Sequence, residues 1–159
     1  MPPSRRMEDN QPQWSPDGRR IVFRRIHVAS DRRAVFVVNL NGRGLRQLTP
    51  WRLNAGDGPD WSPDGSRILF RINDTSAFTE SDLGTVRPNG SGLRRVTHFP
   101  PSRMVLSASF SPDGRSIVAG LGGVDGQPDV FVMRADGTGI RPVTRTAAWD
   151  SAPDWGPAP

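Results

Sequence analysis

Short hydrophobic runs with a period of two recur along the chain. Residues 20–25 place Ile21 and Phe23 on one face and Val22 on the other, in the β-branched and aromatic company that favours a strand. Residues 34–40 form a second such run, which ends at Asn41-Gly42, a strong hairpin signal. Residues 45–49 supply a further short strand, and 11–14 lead into Ser15-Pro16-Asp17-Gly18. There proline presets φ and glycine accepts a positive φ, as a tight turn requires. The unit therefore predicts four short antiparallel strands. Ile68-Leu69-Phe70, Ile117-Val118-Ala119 and 130–133 ahead of Asp136-Gly137 repeat the scheme, and no helical periodicity interrupts it.

Two phrases keep this beat. Trp-Ser-Pro-Asp-Gly occurs at Trp14 and Trp61, Phe-Ser-Pro-Asp-Gly at Phe110, and a shortened copy ends at Trp155. The steps of roughly 45 to 49 residues lie in the range of repeated four-stranded blades. In step with them run GRGLRQLT, GSGLRRVT and GTGIRPVT, ending at Thr49, Thr97 and Thr144. The predicted blades occupy about 11–50, 57–98 and 107–145, with 151–155 opening another and 1–10 forming an N-terminal tail. The middle unit departs from the others. Its third strand contains Gly84, Pro88 stands beside Asn89-Gly90, and the polar stretch 73–82 is long, features that weaken a strand or push it to an edge and predict the softest blade.

The pattern P-x-W-S-P-D-G-x-x-I-x-F, a hydrophobic strand, and then N/D-G-x-G-L-R-x-L-T resembles the TolB-type β-propeller repeat, also called the WD40-like Pro-Asp repeat, from about Gln11 to Trp155. The fold class expected is all-β, a partial propeller or half of a six-bladed dimeric ring. The resemblance implies that the first strand of each blade lies nearest the axis, so that Trp14, Trp61, Phe110 and Trp155 pack between blades. It also assigns Asp17, Gly18, Asp64, Gly65, Asp113 and Gly114 to tight turns. An Asp before a turn Gly bonds local backbone in any protein, which favours structure over catalysis at these three acids.

Propellers close with typically four to eight blades. Three blades leave two apolar faces open, and such faces mark interfaces. Either the chain is part of a longer propeller or two copies join as a homodimer.

Candidate chemistry is sparse. Asp57 and Asp60 precede Trp61, and Asp150 and Asp154 precede Trp155; carboxylates converging near the axis are candidate oxygen ligands for calcium or a grip for a basic peptide. Gln13 and Ser109 replace the acid in the other two units, which argues against a full ring. His27 and His98 fall in different register positions and there is no cysteine, so a metal site of three or four such ligands is not indicated. Ser15, Ser62 and Ser111 are held in the repeated turn, and no G-x-S-x-G elbow occurs. No cofactor and no catalytic residue are expected.

Composition narrows the classes further. All 21 basic residues are Arg, and the net charge is +5. They are spread over every unit, which reads as solvated strand edges rather than a concentrated nucleic-acid patch. No apolar run is long enough for a membrane span, and the first ten residues lack the apolar core of a signal peptide. The family resemblance implies a non-catalytic module that binds a protein or peptide at the channel mouth or loops, in the periplasm or outside the cell. For the envelope member of the family the partner is a peptidoglycan-associated lipoprotein. The alternative it implies is an ancillary propeller of a prolyl-oligopeptidase-like hydrolase or an oligogalacturonate-lyase-like enzyme, and a third is a sugar or small-ligand sensor.

Overall fold

Each Ser-Pro-Asp-Gly segment closes by the same set of bonds. The Ser15, Ser62 and Ser111 amides donate to the carbonyls of Arg20, Arg67 and Ser116 at 2.9 Å, while the three serine hydroxyls donate to Asp17, Asp64 and Asp113 at 2.5 to 2.6 Å. Each hydroxyl also accepts the amide that starts the next strand, at 2.9 Å. The turn thus satisfies its own polar groups and reverses the chain wherever the phrase occurs. Gly18, Gly65 and Gly114 take the positive φ that the turn demands.

The computed structural model describes residues 6–73, 81–101, 103–123 and 126–155. Among them three four-stranded antiparallel sheets follow one another. The first contains β1 (Met7–Trp14), β2 (Arg20–His27), β3 (Arg32–Asn39) and β4 (Arg46–Gln47). The second contains β5 (Ala55–Trp61), β6 (Ile68–Asn73), β7 (Ser81–Val86) and β8 (Arg94–Arg95). The third contains β9 (Arg103–Phe110), β10 (Ser116–Gly123), β11 (Gly126–Arg134) and β12 (Arg141–Pro142). Strands within each sheet are neighbours in chain order. Short 3-10 turns occur at Val28–Ser30 and Trp51–Leu53. The fold is all-β and built of propeller blades.

The threonine that ends each unit has a clear role. Thr49, Thr97 and Thr144 accept the amides of Val35, Leu83 and Val130 at 2.9 to 3.0 Å, so the hydroxyl extends the pairing of a very short outer strand onto the third strand of its blade. The repetition of Thr was visible in the sequence; this latch was not.

Two apolar seams join the blades. Val22, Val35 and Val37 of the first meet Trp61, Ile68 and Phe70 of the second. Leu69 and Leu83 of the second meet Phe110, Ile117 and Met133 of the third. Alternate residues of β6 therefore serve opposite seams, as the period of a strand buried on both faces requires.

The second blade is not the softest in packing. β7 pairs with β6 over six consecutive residues without a slip, and all six are buried. Gly84 marks a close approach rather than a weak point: a Cβ there would lie 2.8 Å from Ile72 Cδ1 and from the Phe70 ring. Residues 74–80 of the polar stretch lie outside the described residues. A second close approach occurs at Gly137, φ 90°, where a Cβ would fall 2.1 Å from the Val96 carbonyl oxygen of the neighbouring blade.

Two of the four aromatic positions differ from expectation. Trp61 and Phe110 are buried in the seams, but Trp14 is 62 % exposed and Trp155 39 % exposed. Trp61 has a preceding blade to pack against, and its indole N–H donates to the Gln13 carbonyl at 3.3 Å; among the described residues no blade stands on the corresponding side of Trp14. β1 also begins at Met7, pairing with His27, so strand extends into the stretch expected to be tail. The outer faces are not bare either. On the first blade, Arg25 stacks over Phe23 and Phe36 at 5.4 and 4.7 Å and is clamped by Asp9 through two 2.6 Å bonds. On the third, Ser151 and Ala152 lie over Gly120, and the Asp150 amide donates to the Pro128 carbonyl at 3.0 Å.

Candidate binding site at the inner strands

β5 stands beside β1 and β9, the first strands of the blades on either side. It is bulged around Asp57, and Gly56 and Gly58 flank that residue at positive φ. The Gly58 amide donates to the Gln11 side chain of β1 at 2.8 Å. The kinked strand turns Asp57 into the gap between blades, where it is 5 % exposed.

Three guanidinium groups converge on that carboxylate. Arg24 of β2 bonds Oδ1 and holds Asn10 Oδ1 with its Nε at 2.7 Å. Arg71 of β6 donates to Oδ2 at 2.5 Å and also to the Val105 carbonyl of β9 at 2.8 Å. Arg33 of β3 approaches Oδ2 at 3.7 Å, and Asn73 adds a 2.9 Å bond. The cluster thereby ties all three blades together. Asp31, at its outer side, pairs with Arg33 at 3.3 Å and is exposed. Burial pulls the Arg24 guanidinium below its ordinary pKa, and the Arg33 and Arg71 charges pull in the same direction. Arg71 is lowered by burial alone. A buried carboxylate so closely paired with cations is stabilised as an anion. A cationic ligand would have to displace those cations.

The remaining acids do not join it. Asp60 accepts the Phe110 amide at 2.9 Å across the second seam. Burial raises its pKa above the usual aspartate value, the Phe110 and Trp61 amides act against that, and the Asp154 charge adds to it. Asp154 is exposed and accepts the Trp155 amide at 2.8 Å, while Asp150 accepts the Thr146 hydroxyl at 2.9 Å. Of the four acids proposed from sequence for calcium, only Asp60 and Asp154 act on each other, while Asp57 and Asp150 are engaged elsewhere. Among the described residues no three His, Cys, Asp or Glu side chains form a metal-holding group. His27 meets Ser30 at 2.9 Å and the edge of Trp51, whereas His98 follows β8 in the second blade. In the sequence Asp57 stands out, and the pairs Arg24-Arg25 and Arg32-Arg33 read as a surface for an acidic partner on one blade; Arg71 does not stand out, and the meeting of these residues is not legible, because only the fold brings their strands to one place.

The blade geometry has counterparts among solved structures. The structure of putative TolB from Agrobacterium tumefaciens superposes with a TM-score of 0.75 at 23 % identity, over 89 % of this chain and 50 % of that one. The fold is that of the TolB-like β-propellers. A structure from a study of two prolyl endopeptidases gives a TM-score of 0.67 at 15 % identity, over 88 % of this chain and 22 % of that one. An oligogalacturonate lyase in complex with manganese gives 0.66 at 18 %, over 87 % and 36 %. This TolB-like chain thus spans half the length of the TolB structure and a smaller share of the two enzymes. No protein-family model and no curated protein sequence matches it. Manganese, present in the lyase complex, finds no fitting set of His, Cys, Asp or Glu ligands among the described residues.

Proposed function

We propose that this TolB-like chain is a non-catalytic interaction module that binds an acidic segment of a protein partner at the inner-strand ends. The observation that carries the reading is the convergence of the Arg24, Arg33 and Arg71 guanidiniums, from β2, β3 and β6, around Asp57 of the inner strand β5. Desolvated arginines of this kind recognise carboxylates through paired donors. The likeness to TolB structures supports a binding propeller. We further propose that two copies pair to extend the incomplete ring, with Trp14 entering the new interface as Trp61 enters the existing seam.

The test is fluorescence anisotropy with a labelled Glu-rich peptide and a Lys-rich control. Saturable binding of the acidic peptide is expected, weakened at least tenfold by Arg33→Gln, with folding checked by circular dichroism. Equal binding of both peptides, or none, rejects the reading.

A second reading, an ancillary propeller beside a hydrolase or lyase domain, rests on the likeness to the prolyl endopeptidase and lyase structures. Retention of the chain by an isolated prolyl-endopeptidase catalytic domain in a pull-down, with no acidic-peptide binding, would favour it over the first.

A further inference from the structure

The opposite ends of the strands, where the Ser-Pro-Asp-Gly turns lie, carry a different cationic feature. A cleft of about 490 Å³ opens between the second and third blades, walled by Arg67, Arg94, Arg115 and Arg134 together with the turn aspartates. Among the described residues these four guanidiniums have no ion-pair partner within 4 Å. The neighbouring acids are occupied locally: Asp64 Oδ1 takes the Ser62 hydroxyl and the Ser66 amide at 2.6 and 3.0 Å, and Asp113 and Asp136 hold equivalent bonds in their own turns.

The corresponding cleft between the first and second blades shows how the repeat ordinarily satisfies these arginines. Arg20 lies 5.0 Å over the Trp61 ring and 3.7 Å from Asp17, and Arg46 donates to the Asn89 carbonyl at 3.3 Å. In the second cleft Phe110 replaces the tryptophan, and Arg67 Nη1 is buried with no hydrogen-bond partner among the described residues. Burial first, and then the charges of Arg94 and Arg87, lower the Arg67 pKa, with the Asp64 charge acting the other way. Arg67 is half-buried, and the wall sets four guanidiniums against three turn carboxylates, which leaves one positive charge in excess and an Nη1 donor to fill.

We propose that this cleft binds a doubly charged tetrahedral oxyanion, either inorganic phosphate or the phosphate of a monoester. Guanidiniums arriving from two blades offer donors along several directions, which suits the oxygens of a tetrahedral group better than a planar carboxylate. The volume exceeds that of the ion and leaves room for an esterified group. This site is independent of the acidic-peptide site, since Arg67 precedes β6 and Arg71 lies toward its far end.

Calorimetric titration of the full chain at constant ionic strength tests it, with inorganic phosphate, glucose 6-phosphate and succinate as probes. Saturable one-site binding of phosphate is expected, weakened at least tenfold by Arg67→Gln and by Arg94→Gln and unchanged by Arg46→Gln in the first cleft. Arg94 is exposed, so its variant keeps the test decisive if Arg67→Gln fails to fold. Tighter binding of the sugar phosphate assigns the site to a monoester, and equal or weaker binding assigns it to the free ion. Heats no larger than those of sodium chloride, succinate binding as tightly as phosphate, or equal losses in the Arg46 and Arg94 variants would overturn the proposal. Arg33→Gln should leave phosphate binding intact, so this result stands apart from the fate of the peptide reading.

Discussion

Asp60 shows how one side chain links two blades at an electrostatic cost. Its carboxylate takes the Phe110 amide across the second seam while burial raises its pKa. For an acid whose folded pKa lies above the unfolded value, the ionised form weakens the fold above that pKa, and the penalty disappears as pH falls through it. Asn keeps the accepting oxygen and removes the charge. Asp60→Asn should therefore raise the melting temperature at pH 7 by about 2 to 4 °C and lose the advantage as pH falls into the aspartate range. A lower melting temperature at pH 7 would show that the charge itself is needed. Asp17, Asp64 and Asp113 have the opposite sign. Their serine hydroxyls first, and then backbone amides, hold them below the usual value, so their contribution is present above the ordinary aspartate range and lost as pH falls through the lowered pKa. These turn roles were legible because the partners lie within a few residues. The surroundings of Asp57 were not, because Arg24, Arg33 and Arg71 come from three strands whose meeting depends on sheet stacking.

At the scale of the blade, the strands were readable from alternation and the turns from their chemistry, since both signals are local. Which copy of a repeated aromatic is buried is a property of the neighbour, and sequence repetition concealed that difference. Trp61 and Trp14 are identical in phrase and opposite in exposure, 5 % against 62 %. Trp61→Ala should cost about 3 to 5 kcal/mol, as for a core aromatic. Trp14→Ala should cost less than about 0.5 kcal/mol in dilute protein, as surface substitutions do. Denaturant unfolding with unchanged slope measures both, and equal losses would contradict the seam assignment. The reading of Gly84 as a weakness failed for a related reason: glycine also serves where an adjacent ring comes too close for a methyl group.

For the whole molecule, the exposed apolar side chains include Trp14, Leu45, Val143 and Trp149. Arg25 and the 150–152 segment cover parts of the outer faces, so the flanks combine covered and uncovered areas. If copies associate as proposed, light scattering at rising concentration should give a mass near twice 17.4 kDa, and Trp14→Glu should return it to the single-chain value. A single-chain mass at every concentration would reject association while leaving the blade architecture intact.

The contact at Gly137 means that these units are not interchangeable beads. The tip of one hairpin is keyed against the Val96 carbonyl of the preceding unit, whereas Gly42 and Gly90, at the matching places, have open space where a methyl group would stand. Shuffling the order of the repeats would leave that key without its lock, so position along the chain has acquired an address that the shared phrases do not spell out.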